Sequence, residues 1–406
     1  MSENYVIKRE FMPADGNPFW DWDTSGKLHM TFSVGLDHEV DGDLLLEALK
    51  ETYAVWPMLD DAFIVNGDGM ICFAQNKAPL KVFNSPAIYS PLAAENGSRL
   101  AALTYWKNTV SITGLHSYFD GGSAVMILRD AVTRYLKKYY GEDLDVGYLP
   151  AAGEGDRPEY GVFYAMNPEI LSLPFERKEG VEIPQVVFDD PEMDYGPNFA
   201  LSQYVITCDN DEFIAFCKKN GANPSVMLFI LFAKAVFKLH PENDLPVTGN
   251  NTMNIRHLLG LDMSMMGQTM GSLFKTAKED MDLPLPEFAK KLRASLDAQR
   301  DRDFILSRAE DMSRGIMSLD FKLSLSIAYM GSIKFGDATK HTNYFTAYSD
   351  LHKNMMAYEL NGTFYIAVLT GLAGKKYAEA ICAFLKDSGV RAEISGHTDE
   401  LPAEAL

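Results

Sequence analysis

The chain has 406 residues, 47% of them hydrophobic and 12% aromatic, and a formal net charge of −19. That length exceeds one ordinary core and predicts two lobes, and the composition is that of a folded globular protein. The acidic balance, with no basic run, argues against nucleic-acid binding and against adsorption to anionic membranes. The four cysteines (Cys72, Cys208, Cys217, Cys382) form no C-x-x-C pair, so neither zinc nor a disulfide framework is implied. The start MSENYVIKREF lacks the apolar stretch of a signal peptide, and the longest apolar run, Val226 to Ala233, is too short to span a membrane. A cytoplasmic, soluble protein is expected.

In chain order, Leu28 to Leu36 reads as a strand. Asp41 then caps a helix from Leu44 to Tyr53, with Leu45, Leu49 and Tyr53 on one face. Ile64-Val65 and Met70 to Ala74 flank Asn66-Gly67-Asp68-Gly69, the pattern of a hairpin. Ser90 to Ala102 reads as helical, followed by a strand from Leu103 to Trp106. Val110 to Leu115 alternates like a strand entering a core. From Ser123 to Tyr140, Val125, Leu128, Val132, Tyr135, Leu136 and Tyr139 recur at helical spacing.

Gly141 to Pro197 is rich in proline and glycine and reads as an irregular connector, with some pattern only over Ile183 to Phe188. A second half begins near Asn198 with a strand, Phe199 to Cys208. A helix capped by Asp209 or Asp211 runs to about Asn220, and Gly221 stops it. Pro224 opens a strongly apolar helix to Leu239. A strand follows over Leu245 to Ile255, then a charged helix from Leu285 to about Met317, with turns near Asp303. Leu323 to Ile333, Tyr344 to Asp350, Asn354 to Leu360 and Phe364 to Thr370 are strand candidates, followed by a helix, Lys375 to Asp387, and a strand, Arg391 to Ile394. The division expected is a lobe over 1–165, a connector over 166–197 and a lobe over 198–406, in the α/β class.

Between strand and helix at 110–140 sits His116-Ser-Tyr-Phe-Asp120-Gly121-Gly122, which presents a histidine at a strand end. By residue frequencies an H-x-x-x-D-G match is expected about 0.03 times in such a chain. An imidazole titrates near neutrality, so His116 could take a proton from a hydroxyl, amine or thiol attacking an acyl carbonyl. Asp120 could hold the loop by an ion pair. Gly121 and Gly122 could turn the backbone sharply and supply amide N–H groups to an oxyanion. The plainer alternative makes His116 a core-edge histidine and Asp120 only a helix cap. Neighbouring patterns carry less. His240 to Asp244 follows a helix and lacks the glycine, His38 to Gly42 is a residue short, and Asp-Gly-Gly-Ser123 lacks a residue of a phosphopantetheine attachment site. No P-loop, G-x-G-x-x-G, H-E-x-x-H or G-x-S-x-G pattern occurs.

His116 to Gly121 resembles the H-x-x-x-D-G motif of the chloramphenicol acetyltransferase-like superfamily, which includes condensation domains and alcohol acetyltransferases. The resemblance continues in order along the chain. Leu44 to Phe63 is similar to the family's early helix and "His-Pro-x-Leu-Arg-x-x-Phe" segment, with Trp56 and Asp60-Asp61 in place of its usual residues. Pro224 to Arg256 resembles the buried helix and strand ending in Asn-x-Arg, Met270 to Phe274 the "Gly-Asn-Phe" element, and Ser326 to Gly331 the "Ser-Asn-x-Gly" strand.

The resemblance implies two α/β lobes in a V, with a central tunnel and His116 midway as catalytic base. It makes Asp120 an orienting residue paired with an arginine, for which Arg256 is the candidate. It implies no metal and no permanently bound cofactor. The expected cosubstrate is an acyl-CoA or phosphopantetheine thioester, and the other partners are a small-molecule acceptor and conceivably an acyl carrier protein. Leu115 stands where condensation domains carry a second histidine, and the D-F-G-W-G element of the plant enzymes is absent. A non-catalytic condensation-like binding or scaffold protein is therefore the alternative.

Overall fold

The computed structural model describes residues 5–10, 29–65, 67, 71–86, 90, 93–116, 119–141, 144–145, 165, 167–182, 184–193, 202–261, 268–314, 323–349, 353–371 and 373–398. Strands β1 (Tyr5–Glu10) and β2 (His29–Leu36) lead into helix α1 (Gly42–Val55). Its start is set by Asp41, whose carboxylate accepts from the Asp43 and Leu44 amides at 2.9 and 3.2 Å. Leu45, Ala48, Leu49 and Tyr53 form its buried face, as the apolar spacing predicts. The hairpin follows as β3 (Asp61–Val65) and β4 (Ile71–Asn76), paired antiparallel. Most of its turn, 66 and 68–70, lies outside the described residues.

The helix expected over Ser90 to Ala102 is not formed. Ala94–Asn96 make a single 3-10 turn, and Gly97 (φ 67°) and Ser98 (φ 54°) then enter the left-handed region, which a helix cannot continue through. Asn96 competes as well, donating from its side chain to the Ala101 carbonyl at 3.0 Å. After the two-residue β5 (Phe83–Asn84), the chain therefore enters β6 (Ala101–Trp106) and turns back as β7 (Thr109–Leu115). Helix α2 (Gly121–Tyr140) follows and ends at Gly141, φ 64°.

The connector holds a short turn of helix, Pro168–Leu171, and a 3-10 turn, Pro191–Met193. Residues 184–188 form no regular element, and the Phe188 amide donates to the Pro246 carbonyl at 2.8 Å. In the second half come β8 (Ser202–Asp209), α3 (Asn210–Lys219), α4 (Pro224–Leu239), β9 (Val247–Asn254) and β10 (Thr269–Thr276). Of the two candidate caps for α3, Asp209 serves, accepting from the Glu212 amide at 2.9 Å. The long helix expected from Leu285 is divided into α5 (Leu285–Gln299) and α6 (Arg302–Ser313). Asp301 makes the break by capping the second piece, accepting from the Asp303 and Phe304 amides. Then β11 (Leu325–Ser332), β12 (Thr342–Ser349), β13 (Asn354–Leu360), β14 (Thr363–Thr370), α7 (Gly374–Asp387) and β15 (Ala392–Thr398) complete the described chain.

Three sheets result: β1-β4-β3, β12-β2-β7-β6-β5, and β10-β9-β11-β13-β14-β8-β15. Strand β12, which a boundary at residue 198 assigns to the second lobe, is hydrogen-bonded antiparallel to β2 in the sheet that carries β7. Phe345 and Ala347 of β12 there join Phe32, Val34, Ile112, Leu128 and Val132 in the first core. That core also takes in Met356, Tyr358, Leu360, Ala367 and Leu369 from one face of the large sheet. The alternate residues Met355, Ala357, Ile366 and Val368 join α4 and α7 in the second core. Helix α4 is buried all round, from Val226 through Ala233, which is why its sequence lacks a polar stripe.

Candidate functional site

His116 follows the last residue of β7 and is half-buried. The path of the next residues depends on Gly114. A side chain there would meet the Phe119 ring at 2.8 Å, so glycine lets that ring fold back onto the strand, where it is fully buried. The Phe119 amide donates to the Leu115 carbonyl at 3.0 Å, closing the turn. Its own carbonyl lies 3.3 Å from His116 Nδ1. A carbonyl only accepts, so Nδ1 carries the proton in this contact. In the neutral ring Nε2 is then the basic nitrogen.

Asp120 is the N-cap of α2 and is 3% exposed. Its Oδ1 accepts from the Ser123 amide at 2.9 Å. Its Oδ2 accepts from Arg256 Nη2 at 2.5 Å and from the Gln268 amide at 3.0 Å. Burial pushes the Asp120 carboxyl up, but the Arg256 charge and these hydrogen bonds outweigh it and hold it below the usual carboxylate range. Arg256, 1% exposed, also donates to Ser123 Oγ at 3.0 Å and from Nη1 to Asn254 Oδ1 at 3.3 Å. The Asn254 carboxamide accepts from the Arg256 amide as well, at 3.0 Å. The structure thus brings Asp120 and Arg256 together and joins the turn after β7 to the end of β9 and the start of β10. Asp120 is both the cap of the plainer alternative and the partner of an arginine.

Gly121 and Gly122 differ from expectation. Neither has a positive φ, because both lie in the first turn of α2 and the chain turns before them. A side chain at 121 would make only ordinary contact with Phe32, at 3.5 Å. One at 122 would crowd Asp120 Oδ1 at 3.1 Å. The use of Gly122 is therefore room beside the ion pair, rather than freedom of backbone.

Sequence reasoning missed Gly114, the Phe119 carbonyl, Gln268 and the buried Ser123 hydroxyl. A glycine inside a strand two residues before His116 was the available signal. Ser123 is 1% exposed and hydrogen-bonded to Arg256, so it is no attachment site. His240 is the C-cap of α4, with Nε2 3.0 Å from Asp190. His38 lies with Asp37 and Tyr135, away from this turn. Asp60, one of the acidic residues replacing the family's usual ones, accepts from the buried Arg99 Nε at 2.7 Å. Among the described residues no group of three or more His, Cys, Asp or Glu is placed to hold a metal. None of their helices alone is long and apolar enough to cross a membrane.

No protein-family model matches the sequence, and no curated protein matches it either. The fold does match. The chain has the two-lobed α/β fold of solved structures that include a condensation domain and TRI101. Polyketide synthase associated protein 5 from Mycobacterium tuberculosis superposes with a TM-score of 0.66 at 12% identity, over 94% of this chain and 97% of its own. The epimerization domain from the third module of tyrocidine synthetase B gives 0.61 at 12% identity, over 95% and 99%. F. sporotrichioides TRI101, complexed with coenzyme A and T-2, gives 0.61 at 14% identity, over 91% and 96%. At such identities the likeness carries the fold, and the reaction has to be argued from the site.

Proposed function

We propose that the protein is an acyltransferase moving an acyl group from a thioester, acyl-CoA or an acyl carrier protein, to a hydroxyl or amine acceptor. The observation that carries the reading is the setting of His116. It stands just past a core strand, its Nδ1 faces a backbone carbonyl at 3.3 Å, and four residues on comes a buried aspartate braced by an arginine. That arrangement favours the tautomer protonated at Nδ1, which supports Nε2 as the base. The solved structures of the same fold support acyl transfer in general, and one of them was complexed with coenzyme A.

In the reaction, the acceptor O–H or N–H gives its proton to His116 Nε2 as its lone pair attacks the thioester carbonyl carbon. The tetrahedral intermediate carries its charge on the former carbonyl oxygen. Backbone amides at the start of α2, those of Gly121 and Gly122, are the candidate donors to it. Collapse breaks the C–S bond, and the thiolate takes the proton back from Nε2. Both substrates are bound together and no acyl-enzyme forms. Asp120 and Arg256 hold the turn and stay out of the proton transfer. A mass-spectrometric screen of acyl-CoA donors against hydroxyl and amine acceptors, run beside His116→Ala, tests the reading. Turnover by the variant within a few-fold of wild type would refute the base assignment. A wild type that binds thioesters but transfers nothing would favour the scaffold alternative.

A further inference from the structure

The face of the large sheet that meets the first core changes character across its width. Over β13 and β14 it is apolar and covered, with Met356, Tyr358, Leu360 and Leu369 packed into the first core. Over β9 and β11 the same face presents Asn250, Thr252, Ser326 and Ala328, all half-exposed. Register places Asn250 opposite Ser326, and Ser326 opposite Asn354. The three form one row across three strands, because directly paired residues share a sheet face.

None of the three side chains has a hydrogen-bond partner among the described residues. Asn354 is 2% exposed, with its Oδ1 buried and unsatisfied. Buried polar groups are nearly always paired, so such an acceptor marks a place for a missing donor. Asn250 has a seat of its own, since its carboxamide lies where a side chain at Gly271 on the neighbouring strand would have to be. The row runs from the half-open Asn250 and Ser326 to the closed Asn354. It stands four residues before Asn254 on β9, or roughly 13 Å along the strand. Asn254 is the residue that holds Arg256 and, through it, the turn carrying His116.

We propose that Asn250, Ser326 and Asn354 form a distal subsite that takes an amide- or hydroxyl-bearing end of the acceptor substrate while its reacting group lies at His116. The assignment rests on the acyl-transfer reading for which end reacts, whereas the binding itself does not. An acceptor ended in hydrocarbon would leave the row unsatisfied. An extended acceptor with an N–H or O–H donor at its far end would pair with Asn354 Oδ1.

The test uses two probes, 10-hydroxydecanamide and methyl 10-hydroxydecanoate. They share chain, reacting hydroxyl and carbonyl, and only the first has N–H donors. Binding is measured by ligand-observed NMR titration to wild type, His116→Ala, Asn354→Leu and Ser326→Ala. The amide should bind wild type and His116→Ala about tenfold more tightly than the ester, the worth of one good hydrogen bond. The preference should vanish in Asn354→Leu, with a melting temperature no lower than wild type because an unsatisfied group is removed, and shrink in Ser326→Ala. Equal binding of the two probes to wild type overturns the proposal. So does a preference that survives in Asn354→Leu or, should that variant not fold, in Ser326→Ala. Failure of the acyl-transfer reading shows separately, as a retained binding preference with no acylation of 10-hydroxydecanamide by any acyl-CoA supplied.

Discussion

Arg256→Ala removes the charge paired with the buried Asp120 carboxylate. Breaking a buried ion pair from one side costs about 3–5 kcal/mol, because the remaining charge is stranded. Here the amides of Ser123 and Gln268 still donate to Asp120, which places the expected loss near the lower end. At about 2.1 cal/mol/K of unfolding entropy per residue, a chain of 406 residues melting as one unit would lose roughly 4 °C. The pH dependence follows from the sign of the Asp120 shift. Its folded carboxyl is held below the unfolded value, so the pair's stabilisation is fully present above that value, about 3.9. It is lost as the pH falls through the folded value. The melting gap between wild type and Arg256→Ala should therefore be widest at neutral pH and close progressively below about pH 4. Differential scanning fluorimetry across pH 3–8 reads both. A gap under 1 °C at pH 7, or one unchanged at pH 3, would refute the reasoning.

Other outcomes are expected from the same geometry. His116→Ala should lower kcat by about 10²–10⁴-fold while leaving the melting curve nearly in place, since the side chain is half-buried and its contact with the Phe119 carbonyl is long; steady-state kinetics on any substrate pair found by the screen checks it. Gly114→Ala should cost about 1–3 kcal/mol by driving a methyl group into the Phe119 ring, and should lower kcat more than it raises KM because the Phe119 carbonyl moves with the ring. Asp60→Asn should destabilise by about 1–3 kcal/mol, read in urea unfolding, because Arg99 is almost wholly buried and Asp60 accepts from its Nε.

Much of this was legible in the sequence because local rules dominate where they were applied. Caps at Asp41 and Asp120, the stop at Gly221, and the unbroken apolar run of α4 follow from backbone chemistry and burial. The pairing of Asp120 with Arg256 spans 136 positions and could be named only through the ordered resemblance, since spacing carries no information at that separation. The false helix over Ser90 to Ala102 arose because apolar and polar residues there fit both periods. The left-handed backbone at Gly97 and Ser98 decides it, and only the glycine announces such a backbone. The row of Asn250, Ser326 and Asn354 was invisible for a different reason. Each residue looks like an ordinary polar position in its own strand, and their common face exists only once parallel strands are in register.

Strand β12 also bears on how the chain is made. Its partner β2 lies more than 300 residues upstream and stays an open sheet edge until β12 arrives. During synthesis the first sheet therefore waits, incomplete, through translation of most of the second half. An unpaired edge backed by Phe32 and Val34 is an adhesive surface over that interval. Expression truncated before residue 342 should accordingly yield aggregate, and slow synthesis or scarce chaperone should lower the yield of full-length protein.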